Sequence, residues 1–192
     1  MIPLLDDITA CTLCAPYLPL GPRPVLQAGD PRARILIIGQ APGLKVHMTG
    51  IPFNDASGDR LRDWMGVTRE QFYDPSQAAI MPMGFCYPGK GKSGDHPPRP
   101  ECAPLWHARL RATLPDIRFT LLIGAYAQGY YLGKRRKANL TETVRAWRDY
   151  IGEGILPLVH PSPRNRIWLK RNPWFEAEVI PHLKTAIMTA LT

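Results

Sequence analysis

The 192-residue sequence has no apolar run approaching eighteen residues, so it offers no candidate transmembrane helix. Its first residues, MIPLLDDITACTLC, carry two aspartates and no basic start, which argues against a signal peptide. No internal repeat and no linker-like stretch divides it. We therefore read residues 1–192 as one cytoplasmic domain, large enough to bury a core without disulfides. Acidic residues are scarce: 16 Asp and Glu stand against 24 Lys and Arg, a formal net charge of +8. That imbalance points to partners bearing phosphate or other acids. The glycine-rich loop at residues 39–43, GQAPG, has neither the G-x-G-x-x-G spacing nor a Walker lysine, and its proline removes an amide donor. A nucleotide-phosphate cradle is therefore a poor reading of it.

Four short apolar runs are present instead: residues 34–39 (RILIIG), 78–83 (AAIMPM), 119–124 (FTLLIG) and 155–159 (ILPLV). They are continuous rather than alternating, as strands covered on both faces are. Pro82 weakens the second, since proline interrupts a central ladder. Helical patterns lie between them: one capped by Ser57, one over 100–113, one over 125–132, one over 141–150 and one over 173–190. The alternation predicts a three-layer α/β/α sandwich around a four-stranded, mainly parallel sheet. In such sheets ligands sit beyond the carboxyl ends of the strands, where three irregular segments begin: GQAPG, GFCYPGKG and HPSPRN.

The chemistry available to those loops is limited. The four cysteines are Cys11 and Cys14 in a C-x-x-C pair, then Cys86 and Cys102 with fifteen residues between them. Structural zinc, an iron–sulfur cluster and unconnected buried thiols all fit that count. His160 ends an apolar strand and opens the turn Pro161-Ser162-Pro163, where a neutral imidazole can donate to an oxygen that gains negative charge. His47, His96, His107 and His182 are read as structural. The segment RNRIWLKRNPW, residues 164–174, interleaves cations with Trp168 and Trp174, a mixture suited to phosphates and bases, while GKRRK at 133–137 fits a solvated face equally well.

Taken together, GQAPG, TGIPFNDASG, the cysteine spacing and HPSPRN resemble the uracil-DNA glycosylase superfamily, closest to its iron–sulfur branches, families 4 and 5. The match runs from Cys11 to about Asn165. The resemblance implies a monomeric, monofunctional DNA glycosylase that flips a deaminated base, uracil by default, and hydrolyses its N-glycosidic bond to leave an abasic site. It implies that Gly39, Gln40, Ala41, Phe53 and His160 hold the base, Phe53 by stacking and His160 through an oxygen of the leaving base. Asp55, in the Asp-Ala-Ser string of family 5, becomes the carboxylate that orients water and stabilises the sugar cation, although the residues that follow also suit a helix cap. Ser162, Arg164 and Asn165 fall where the superfamily grips the DNA backbone, and Arg166 and Lys170 extend that surface. Cys11, Cys14, Cys86 and Cys102 would hold a [4Fe–4S] cluster. Three departures stand out: Gln40 replaces the family 4 glutamate, Pro82 replaces its asparagine, and HPSPRN is nearer the single-strand-selective branch. They keep a second expectation open, a lesion-binding relative with little or no turnover.

Overall fold

The computed structural model describes residues 3–192. Among the described residues six strands occur: β1 (Ile35–Ile38), β2 (Ala78–Ile80), β3 (Lys90–Gly91), β4 (Gly94–Asp95), β5 (Phe119–Ile123) and β6 (Ile155–Leu158). The helices are α1 (Pro3–Thr9), α2 (Leu44–Thr49), α3 (Ala56–Met65), α4 (Arg69–Tyr73), α5 (Cys102–Ala112), α6 (Gly124–Leu132), α7 (Leu140–Arg145), α8 (Arg148–Ile151), α9 (Arg166–Arg171) and α10 (Ile180–Leu191). Four strands form one sheet in the order β2-β1-β5-β6, each neighbouring pair parallel, and β3 and β4 form a separate antiparallel hairpin. Among the described residues no helix is long and apolar enough to cross a membrane.

The continuous apolar runs are explained by cover on both faces. Alternate residues of a strand point to opposite sides. Ile35, Ile37, Leu121, Ile123 and Leu156 pack under α3, α10 and the preceding turn through Leu61, Trp64, Phe175, Leu183 and Ile187. Leu36, Ile38 and Leu122 pack on the other side against Ile8, Trp106, Leu110, Ala127 and Leu132 of α1, α5 and α6. This is the expected three-layer sandwich. The buried Gln128 amide on α6 donates to the carbonyls of Leu122 (3.2 Å) and Leu158 (3.0 Å), tying the carboxyl ends of β5 and β6 together. Gln27 bridges the outer edge of β2 at Ile80 and so closes an exposed ladder.

The strand expected over residues 78–83 ends formally at Ile80, yet its pairing continues. Met81 N–H donates to Ile37 O and Met83 N–H to Gly39 O, both at 2.9 Å. Pro82 falls between these two donors, at the residue whose amide this ladder does not use. The Pro82 carbonyl accepts from Nε2 of the buried His107 (3.0 Å), whose Nδ1 meets the Tyr131 hydroxyl at 2.7 Å. Three helix expectations are corrected. Asp55, not Ser57, caps α3, its Oδ1 accepting from Gly58 N at 2.9 Å. The helix expected over 141–150 is two short ones, α7 and α8, because Ala146 leaves helical geometry and Trp147 turns into the core against His182. The C-terminal helix opens with a π turn over Phe175–Val179, the wider turn preceding Pro181, which has no amide to donate.

Burial drives the His107 pKa down from 6.5 to about 4. Below pH 6.5 the unfolded chain therefore takes up a proton that the folded chain refuses. Urea titrations should show stability falling with pH between 6.5 and 4, by up to about 1.4 kcal/mol per pH unit from this residue. His107→Gln should flatten that slope; an unchanged slope would assign the acid sensitivity elsewhere.

Candidate active site

A cavity of about 420 Å³ opens beyond the carboxyl ends of β1, β2 and β6. Its walls include Gly39, Gln40 and Ala41 after β1, Phe53 and Asp55 ahead of α3, Pro82 after β2, and His160, Ser162, Arg164 and Asn165 after β6. Loops far apart in the chain thus meet where the sheet topology sends them.

The turn from Phe53 to Gly58 sets the ring and the carboxylate together. Phe53 is the one non-glycine residue with positive φ among the described residues, at 52°. A left-handed backbone costs a side-chain-bearing residue about 1–2 kcal/mol, so its surroundings must hold it there. They do so by close packing. A Cβ on Gly58 would stand 1.7 Å from the Phe53 carbonyl oxygen, and one on Gly39 would stand 3.2 Å from the Phe53 ring. Tyr73 Oη donates to Pro52 O at 2.9 Å, Arg69 reaches Asn54 Oδ1 at 3.1 Å, and Phe72 meets the Phe53 ring edge-on at 6.2 Å. Asp55 follows two residues after Phe53. It serves as helix cap through Oδ1 and also lines the cavity, so the two readings of this residue coexist.

His160 is fixed by its own turn. Its Nδ1 accepts the Ser162 backbone N–H at 3.2 Å, which leaves the ring proton on Nε2. Asn165 Nδ2 donates to the His160 carbonyl at 2.7 Å, Arg60 donates to the Ser162 carbonyl at 3.2 Å, and Ser162 Oγ accepts from Arg164 N at 3.2 Å. Burial pushes the His160 pKa down, partly opposed by the carboxylates of Asp55 and Asp95. The imidazole is therefore held neutral, with Nε2–H as a donor.

Gln40 lines the cavity with its amide directed to the His96 carbonyl at 3.4 Å. Arg166 and Lys170 are exposed on α9, outside the cavity wall. The two tryptophans of this basic segment turn inward: Trp168 donates to Thr141 Oγ1 at 2.8 Å, and both pack on Phe175. They are wedges of the fold rather than an exposed stacking platform, because the apolar side of a short helix must be covered. In GKRRK, Arg135 pairs with Glu153 (2.5 Å) and Lys137 with Asp149 (2.7 Å), which favours the solvated-face reading of that segment.

Sequence reasoning missed Asp95. The hairpin β3–β4 brings Ser93, Gly94 and Asp95 to the cavity rim. Gly94, with φ 145°, leaves room for the Arg164 guanidinium, since a Cβ there would stand 2.8 Å from its Nη1. The glycines of GKGKSGD are a turn signal that would have exposed this hairpin.

All four cysteines line a second, apolar cavity with Ile8, Leu18, Phe85 and Trp106. Phe85 N–H donates to Cys102 Sγ at 3.4 Å, and burial raises the Cys102 pKa to about 12. Among the described residues no three His, Cys, Asp or Glu side chains are gathered closely enough for one metal ion.

The model of the Uracil DNA glycosylase superfamily matches residues 26–184, a span that includes Phe53, Asp55, His160, Cys86 and Cys102. A Type-4 uracil-DNA glycosylase of Thermotoga maritima is 24% identical over 161 residues, covering 82% of this chain and 79% of that protein.

The packing around Phe53 gives a direct test. Gly58→Ala should lower unfolding free energy by at least about 1–3 kcal/mol in urea titrations, because the new Cβ meets backbone that cannot swing aside. An Ala variant as stable as the parent would show that the 53–58 turn is looser than described.

Proposed function

The chain belongs to the uracil DNA glycosylase superfamily, and on that premise we propose that it draws a deaminated base, uracil foremost, out of DNA and hydrolyses its N-glycosidic bond to leave an abasic site. The observation that carries this reading is the meeting of Phe53, Asp55 and His160 in one cavity. Extruding a base costs a few kcal/mol of stacking, part of which the Phe53 ring returns. As the bond from sugar to base breaks, its electron pair moves onto the base. His160 Nε2–H donates to the carbonyl oxygen where that charge collects, from a ring kept neutral by burial. Asp55 stabilises the cationic sugar and orients the attacking water, whose proton passes to the carboxylate or to solvent as the new bond to oxygen forms. No lysine lines the cavity among the described residues, which supports hydrolysis over imine formation. Ser162, Arg164 and Asn165 grip the backbone beside the extruded nucleotide, with Arg166 and Lys170 adding charge.

Cys11, Cys14, Cys86 and Cys102 would hold a [4Fe–4S] cluster, whose part is to tie the N-terminal segment to the loop between Cys86 and Cys102. Anaerobically purified protein should be brown and carry roughly four iron atoms per chain. Cys86→Ala should lose iron and lower Tm; an iron-free, colourless protein with intact cysteines would refute the assignment.

Oligonucleotides bearing uracil, hypoxanthine and xanthine test the reaction. His160→Leu should cut kcat by about 10²–10³-fold, the usual effect of losing one charge-stabilising donor. Asp55→Asn should lose most activity while DNA affinity stays near that of the parent. Pro82, which puts no amide side chain on the cavity wall, favours one rival: lesion binding without turnover. Tight binding by the intact protein with no base released would establish that rival instead.

A further inference from the structure

A base held in this cavity must be told from its neighbours by hydrogen bonds to its edge, so the free polar groups of the wall decide what fits. Most are engaged. The Gln40 amide donates to the His96 carbonyl, Asn165 donates to the His160 carbonyl, and Asp55 Oδ1 accepts from Gly58. Pro82 offers no side-chain polar atom. Asp95 differs. Its side chain lines the same cavity, yet no ion pair among the described residues takes up its carboxylate. Its Oδ2 stands 3.5 Å from where a Cβ on Gly43 would be, so the carboxylate lies against the GQAPG loop. It is also close enough to His160 to act on that ring electrostatically. The hairpin carrying it has Arg164 packed at Gly94.

We propose that Asp95 is the specificity-determining acceptor of this pocket, taking the ring N–H that lies next to the carbonyl held by His160. The proposal rests on the glycosylase reading and deepens it. His160 supplies a donor and so selects a carbonyl. Beside that carbonyl uracil has the N3–H, and hypoxanthine and xanthine have the N1–H. Cytosine has a bare ring nitrogen in the same place. A carboxylate forms a charge-assisted bond with the N–H and repels the lone pair. One acidic side chain thus favours the deaminated bases and excludes the normal pyrimidine from which uracil arises.

The test uses the intact protein and its Asp95→Ala and Asp95→Asn variants. Steady-state cleavage of uracil-containing and cytosine-containing oligonucleotides would be measured, with free uracil and free 3-methyluracil as inhibitors. Asp95→Ala should lower kcat/KM on uracil by about 10–100-fold, the usual loss for a hydrogen bond to a charged group. Inhibition by free uracil should weaken similarly, and inhibition by 3-methyluracil, which has no N–H to offer, should hold. Asp95→Asn should lose less, because an amide oxygen still accepts, and it should release more cytosine relative to uracil. Unchanged melting temperatures and DNA affinities separate these effects from misfolding and from a change in the phosphate field. Wild-type kcat/KM in Asp95→Ala overturns the proposal, as does an equal loss of inhibition by uracil and 3-methyluracil. A parent protein that releases no base would instead sink the glycosylase reading, and this proposal with it.

Discussion

A central sheet covered by helices on both faces leaves its reactive loops few places to go. The side chains of β1, β2, β5 and β6 are spent on the two cores, and the remaining polar chemistry collects beyond the strand ends. The strand order β2-β1-β5-β6 sends the β1 and β2 loops to one side of the crevice and the β6 loop to the other. Gln128 then locks β5 to β6 just before His160 is reached, and Met83 locks the β2 extension to Gly39. The imidazole and the aromatic ring are placed by backbone pairing rather than by the flexibility of their own side chains.

Within the crevice the electrostatics pull in two directions. Burial keeps His160 neutral, while Asp55 and Asp95 favour its charged form. Burial prevails, and the ring remains a one-proton donor whose tautomer is set by Ser162 N–H. A carboxylate that both caps α3 and faces the cavity is not a conflict of roles. The Gly58 amide fixes one oxygen and orients the rest of the group. The left-handed Phe53 just before it is held by a glycine that has no room for any larger residue.

Much of this was legible in the chain. Continuous apolar runs disclosed a sheet covered on both faces, and GQAPG and HPSPRN disclosed the crevice, whereas GFCYPGKG turns away from it and lines the cysteine cavity with Gly84, Phe85 and Cys86. What escaped was set by tertiary context. Ser57 has a capping side chain, but the Asp55 carboxylate two residues earlier accepts the Gly58 N–H and takes that role. Trp168 and Trp174 looked like a stacking surface because cations flank them, but their indoles are drawn inward by Phe175. Asp95 stayed hidden in a long glycine-rich stretch whose two-residue strands leave no hydrophobic trace.

The hairpin bearing Asp95 is strung between Cys86 and Cys102, sixteen positions apart, and both ends of that span open onto the apolar cysteine cavity. Joining the ends of a loop this long removes about 2–3 kcal/mol of chain entropy. A bond network at the thiols would therefore act on the far end of the span as well, by limiting how widely the hairpin can wander from the crevice. Loss of such a network would then be felt as slack in one wall of the pocket.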